Sequence, residues 1–309
     1  MAQHPLFIVD AFTARAYDGN PCAVVFDADP MDVRQMQCIA REMNLSETAF
    51  VLSSKRASFR VRYFTPRTEI PFAGHPTIAT VYAMATQGHT RLKPSEGTID
   101  IEFEIGVLPV KLIQTNGVLT RVVMTQPVPT FGVTAEAAAA SAALRVPEER
   151  ILTISPPQVS GVGVPFLMIG LPDRESLLSV SPDWSRMESL CHEMEVPACY
   201  VYAPGGSRAD IDLCARFFDP FARYEDPFTG SACGAMAALA RRNGLVAKDR
   251  LCVEQGEAIG RKGCGEIDLS NVENALLVGG EAVLVASGTI ARPPADTTGT
   301  MRVEGSNVE

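Results

Sequence analysis

The chain has 309 residues, 46% of them hydrophobic and 20% charged, enough to bury two medium cores in a globular protein. Its net charge of −9 excludes a nucleic-acid groove, which needs a concentrated basic face. No apolar run approaches the ~20 residues of a membrane span, and no basic stretch followed by a long apolar one suggests a leader.

The elements read in order. Residues 6–12 form a first strand and 22–26 a second, with the Asp18-Gly19-Asn20-Pro21 turn between them. Asp32 caps a helix running to about Asn44, with Val33, Met36, Ile39, Ala40 and Met43 on its apolar side. Ser46-Glu47-Thr48 is a link into a strand at 49–52. Residues 58–65 alternate, with Phe59, Val61 and Tyr63 on one face. The string Ile70-Pro71-Phe72-Ala73-Gly74-His75-Pro76-Thr77 then reads as strand, tight turn and helix start, the glycine supplying conformational freedom. Its helix runs to about Gln87 and stops at Gly88. Strands follow near 99–103, 107–113 and 121–125.

Gln126-Pro127-Val128-Pro129-Thr130 is a linker, kept extended by alternate prolines. Thr134 starts a helix through 135–143, and 164–169 is a strand. A helix capped by Asp183 and a strand at 200–203 come next. Asp226-Pro227-Phe228-Thr229-Gly230-Ser231-Ala232-Cys233 repeats the pattern of 70–77 and opens a second Ala-rich helix. Residues 276–286 are strands returning to the first lobe, and the stretch from 293 to 309 is a flexible tail.

The two halves align. Asp183, Met187, Glu193 and Met194 fall over Asp32, Met36, Glu42 and Met43, Arg216-Phe217-Phe218 over Arg62-Tyr63-Phe64, and Pro227-Phe228 over Pro71-Phe72. Two copies are an internal duplication, not a solenoid. The expected fold is α+β: two similar lobes, 1–126 (joined by a last strand at 282–292) and 127–281, each a curved, mostly antiparallel sheet wrapped on a helix. Two helix starts with unpaired N–H groups then meet at the junction, an arrangement suited to an anion.

The halves differ where chemistry is expected. Glu47 matches Ala198, His75 matches Ser231 and Asp226 matches Ile70. Each has a plain structural reading too: Glu47 a solvated carboxylate in a link, His75 and Asp226 helix caps, Ser231 a hydroxyl bonded to backbone. Eight scattered cysteines, none in a Cys-x-x-Cys pair, argue against zinc and a disulfide framework and for a reduced, cytoplasmic protein. Cys233 reads as packing. No P-loop, dinucleotide fingerprint or serine-hydrolase elbow is present, so no cofactor or metal is expected.

The strings Gly19-Asn20-Pro21-Cys22-Ala23-Val24-Val25, Leu45-Ser46-Glu47-Thr48-Ala49-Phe50, Phe72-Ala73-Gly74-His75-Pro76-Thr77 and Asp226-Pro227-Phe228-Thr229-Gly230-Ser231-Ala232 resemble the phenazine-biosynthesis-like (PhzF) family of the diaminopimelate epimerase superfamily, from about Phe7 to Pro293. The resemblance implies a two-lobed epimerase fold, a homodimer, and cofactor-independent acid–base isomerisation of a small carboxylate-bearing molecule. It assigns the catalytic carboxyl to Glu47, supported by His75 and Asp226, with Asn20, Gly74, Thr229, Gly230 and Ser231 binding substrate. Superfamily racemases use two cysteines just before the turn glycines; Ala73 and Thr229 stand there, so that mechanism is excluded. The competing class is a non-catalytic small-molecule-binding or regulatory protein on the same fold, which would leave Glu47 exposed and no enclosed pocket.

Overall fold

The protein is described from a computed structural model covering residues 2–87 and 97–295. The first copy comprises β1 (Gln3–Ala11), β2 (Asn20–Val25), α1 (Val33–Met43), β3 (Glu47–Leu52), β4 (Phe59–Phe64), β5 (Glu69–Ile70), α2 (Gly74–Thr86), β6 (Thr98–Phe103), β7 (Gly106–Thr115) and β8 (Val118–Gln126). Next come β9 (Thr130–Thr134) and α3 (Ala137–Leu144). The second copy comprises β10 (Gln158–Gly161), β11 (Pro165–Gly170), α4 (Arg174–Ser179), α5 (Trp184–Glu193), β12 (Cys199–Pro204), β13 (Leu213–Asp219), β14 (Tyr224–Asp226), α6 (Gly230–Arg242), β15 (Arg250–Gln255), β16 (Gly263–Asp268) and β17 (Leu276–Gly280); β18 (Ala282–Ala291) is the last element among the described residues.

The strand pairings of the two copies are the same. β1–β2 is antiparallel, β2–β3 parallel, β3–β4 and β4–β5 antiparallel, β4–β6 parallel, and β6–β7–β8 antiparallel. β10–β11, β11–β12, β12–β13, β13–β14, β13–β15 and β15–β16–β17 repeat that order. Register agrees as well: Tyr63 faces Ala49 and Ile70 as Phe217 faces Tyr200 and Asp226. The duplication therefore extends to individual residues, and Asp226 stands where the first copy has Ile70.

The copies are stitched together. β9 leaves the first copy to pair with β10 of the second, and β18 leaves the second to pair with β1 of the first. β8 and β17 pair antiparallel across the junction, Met124 opposite Val278.

Each sheet wraps on one apolar helix, α2 or α6, buried on nearly every side as a central helix must be. The largest apolar core takes in both helices, and Phe12 stacks on Phe228 across it with ring centroids 4.0 Å apart. α1 and α5 cover the outer faces. Asp32 and Gln35 form a reciprocal capping box at the start of α1, and Asp183 caps α5 by accepting from the Arg186 N–H.

Several expectations change. Residues 130–134 are a strand and the following helix starts later, at Ala137, because β10 offers them a hydrogen-bonding edge. Val33 is exposed although it shares the helix face of Met36 and Ala40, because it is the first residue of α1, at the end of that face. The start of the expected tail is anchored: Gln35 Nε2 donates to Pro293 O at 2.6 Å and Arg292 Nε donates to Gln35 Oε1 at 3.2 Å. Gly88 and the stretch 296–309 lie outside the described residues. Among those described, no helix is long and apolar enough to cross a membrane.

Candidate active site

Glu47 is the first residue of β3, paired in register with Cys22, and not part of a loose link. Strand geometry fixes its direction, so its carboxyl is aimed rather than solvated; the side chain is 19% exposed. His75 and Ser231 are the second residues of α2 and α6. The N-cap positions of these helices, Ala73 and Thr229, make no side-chain capping bond, so the first N–H groups of both helices have no capping side chain. Neither Gly74 nor Gly230 has positive φ, which corrects the conformational argument for these glycines. At Gly230 the reason is space: an added Cβ would stand 3.1 Å from Phe12 Cζ.

Both helix starts open into one cleft of about 650 Å³ between the lobes. Glu47, Gly74 and His75 line it from the first lobe; Asp226, Thr229, Gly230 and Ser231 line it from the second. Seven of the eight expected site residues thus line one cleft. Asn20 does not: it is fully buried and lies behind its wall. Its turn is held by Gly19 at φ +60, where a Cβ would collide with Ala11 O. The Asn20 amide donates to Phe228 O at 2.9 Å and to the Asp226 oxygens at 3.1 and 3.2 Å, with His75 Nδ1 at 3.2 Å. Asn20 therefore ties the first lobe to Asp226 of the second instead of facing a ligand.

Asp226 does not cap α6. Besides Asn20 it accepts from Thr229 Oγ1 at 2.5 Å, and Gln255 Nε2 donates to its carbonyl at 2.8 Å. The same Gln255 accepts at Oε1 from the Thr229 N–H and the Tyr200 hydroxyl.

Glu47 Oε2 and His75 Nε2 face each other at 3.4 Å, and neither atom has a hydrogen-bond partner. Burial drives Glu47 up to about 8, helped by the Asp226 charge and opposed by the Ser46 hydroxyl. Burial pushes His75 down to about 3, against the pull of the Pro21 carbonyl. Asp226 is raised to about 6 by burial, against its bonds to Thr229, Asn20 and the Phe228 N–H. At neutral pH the imidazole is uncharged and Glu47 is mostly protonated. The two hydrogens of the Asn20 amide serve Phe228 O and Asp226, so the His75 proton belongs on Nδ1 toward the Pro21 carbonyl. That leaves an Nε2 lone pair facing Glu47. The pair holds one exchangeable proton at the edge of a cleft flanked by two helix N-termini.

Sequence reasoning missed Ser46, Arg67, Phe166, Phe217 and Tyr224 on the cleft wall and Gln255 behind it. A signal existed for Tyr224: at the offset that puts Ser231 on His75 it stands over Thr68. Cys233 is fully buried and off the cleft, as a packing residue should be. Among the described residues no group of His, Cys, Asp and Glu is arranged to hold a metal ion.

The family model described as phenazine biosynthesis-like protein matches residues 9–288. The chain belongs to this family. A trans-2,3-dihydro-3-hydroxyanthranilate isomerase of Pseudomonas chlororaphis is 34% identical over 297 residues, which are 93% of this chain and 99% of that one. A PhzF-family phenazine biosynthesis protein of Bacillus anthracis superposes with a TM-score of 0.85 at 26% identity, covering 94% of this chain and all of the other. A Pseudomonas aeruginosa structure described as a predicted epimerase gives a TM-score of 0.77 at 25% identity, over 94% of this chain and 99% of its own. The fold is thus the duplicated α+β epimerase type, and the chain is an isomerase of the phenazine biosynthesis-like family.

Proposed function

We propose that this isomerase moves a proton between two carbons of a small carboxylate-bearing molecule, without a cofactor, using Glu47 as the group that takes the proton and returns it. The observation that carries the reading is the Glu47–His75 pair: a carboxyl raised to about 8, 3.4 Å from a neutral imidazole, on the wall of the inter-lobe cleft. A reference glutamate holds its proton in about one molecule in 500 at pH 7, whereas one with a pKa near 8 keeps it in about nine of ten, so it can carry a proton between steps.

The substrate carboxylate sits at the N–H groups opening α2 and α6, the attractive ends of two helix dipoles. The ionised fraction of Glu47 removes a proton from one carbon, and that C–H electron pair delocalises into an adjacent double bond of the substrate. Protonated Glu47 then delivers the proton to a second carbon, and the pair returns there as the new C–H bond. In the protonated form the Glu47 hydroxyl faces the His75 Nε2 lone pair, 3.4 Å away, which becomes its acceptor when the two close to hydrogen-bond distance. Once Glu47 is ionised, the Nε2 lone pair repels it and keeps it strongly basic. Asp226, ionised near neutral pH and held by Thr229 and Asn20, accepts from a substrate donor and raises the Glu47 pKa. The expected homodimer and cytoplasmic location belong to the same proposal; sedimentation tests the first.

Glu47→Gln keeps the shape of the side chain and removes its proton. With trans-2,3-dihydro-3-hydroxyanthranilate as the first substrate tried, turnover in D₂O should place solvent deuterium on carbon. The variant should lose roughly 10²–10⁴-fold in kcat with much smaller change in binding. Glu47→Gln with full kcat contradicts the proposal.

A further inference from the structure

We infer that Arg67 selects substrates carrying a second anionic group beyond the carboxylate held at the helix starts, so that the preferred ligand is a small dianion. The inference rests on the proposed anion binding at α2 and α6 and extends it to a second anion position in the same cleft. Among the described residues lining the cleft, Arg67 is the only lysine or arginine, and three carboxyl groups (Glu47, Asp219 and Asp226) line it as well. A cleft so lined repels an anion unless a cation compensates.

The guanidinium of Arg67 has no protein partner among the described residues, unlike the arginines of the neighbouring strands. Arg62 is held bidentately by Glu69, and Arg216 by Glu225. The backbone under Arg67 is nonetheless fixed. Thr65 Oγ1 accepts from the N–H groups of Arg67 at 3.2 Å and Thr68 at 3.0 Å, and Gln37 Nε2 donates to Thr65 O at 2.9 Å. The side chain is a planar fork on a rigid turn with unused donors, suited to a carboxylate. The duplication sharpens the point. The equivalent residue of the second copy, Arg223, does not line the cleft, so the cation is supplied on one side alone.

Calorimetric titration of the purified chain with benzoate, phthalate, isophthalate and terephthalate tests this. At least one dicarboxylate should bind the wild type tenfold or more tightly than benzoate. Arg67→Gln should cut that ratio to about threefold or less, weakening dicarboxylate binding far more than benzoate binding and leaving Tm unchanged, and Arg67→Lys should restore part of it. A ratio unaltered by Arg67→Gln overturns the inference, as does a wild type that binds no dicarboxylate better than benzoate, or binds none of these acids. Failure of the acid–base reading appears instead in the kcat of Glu47→Gln, a variant in which the dicarboxylate ratio should persist.

Discussion

Glu47, His75 and Asp226 share one site, yet burial moves them in opposite directions, because it disfavours whichever form is charged. Glu47 must lose its proton to act as base, and its pKa is about 8. The value of kcat/KM should therefore rise close to tenfold per pH unit between about 6.5 and 7.5, reach half its maximum near pH 8 and level off above about 9; a profile flat from pH 6 to 9 counts against the assignment. The same shift bears on stability. Between the unfolded value near 4.5 and the folded value near 8, the folded chain holds a proton that the unfolded chain has released. Stability is thus lost as pH rises through that window, by up to a few kcal/mol. Glu47→Gln is free of this penalty: its Tm should match wild type near pH 4.5 and exceed it by several °C at pH 8.5. His75 works the other way, its depressed pKa making stability rise between about pH 3 and 6.5. Glu47, His75 and Asp226 were legible because each breaks the match between two otherwise similar halves. That Glu47 opens a strand, and that Asn20 lies behind the wall, were not legible: both depend on pairing partners far away in the chain.

The elements that carry these residues are built twice, with unequal strength. In the first copy Arg62 pairs with Glu69 and lies over the Phe64 ring; in the second Arg216 pairs with Glu225 and lies over Phe218. Arg216 is the more buried, 9% against 18% exposed, and also donates to the carbonyls of Leu177 and Val180. Glu225→Gln leaves a buried guanidinium uncompensated and should cost about 3 kcal/mol, whereas Glu69→Gln should cost about 1 kcal/mol. Urea titration measures both, and equal losses would contradict this ranking. The arginines aligned in the sequence; their glutamates lie at the offset of the later motifs, two residues further on. β9 escaped notice because a Thr-Phe-Gly-Val-Thr stretch beside two prolines carries little strand signal until β10 supplies an edge.

At the scale of the whole molecule the two sequence copies cross strands and the lobes share a core. We propose lobes of 1–126 with 282–292, and 127–281. In these lobes the strand that follows each sequence copy, β9 or β18, completes the sheet of the other, and β8 pairs with β17 across the junction, so neither lobe unfolds alone: calorimetry should show one cooperative transition, and a chain ended at residue 281 should aggregate because the edge of β1 is uncovered. The repeat was legible from aligned side chains, but the exchange was not, since local sequence does not record which lobe a terminal strand joins. The raised pKa of Glu47 comes first from burial and then from the charge of Asp226, which the second lobe supplies beside it. The most direct test is therefore a pH titration of ¹³C-labelled glutamate carboxyls by NMR, wild type against Glu47→Gln. One carboxyl in the wild type should titrate near pH 8 and be absent from the variant. If every glutamate titrates within about a unit of the reference 4.3, Glu47 cannot hold a proton at neutral pH, and the acid–base account fails.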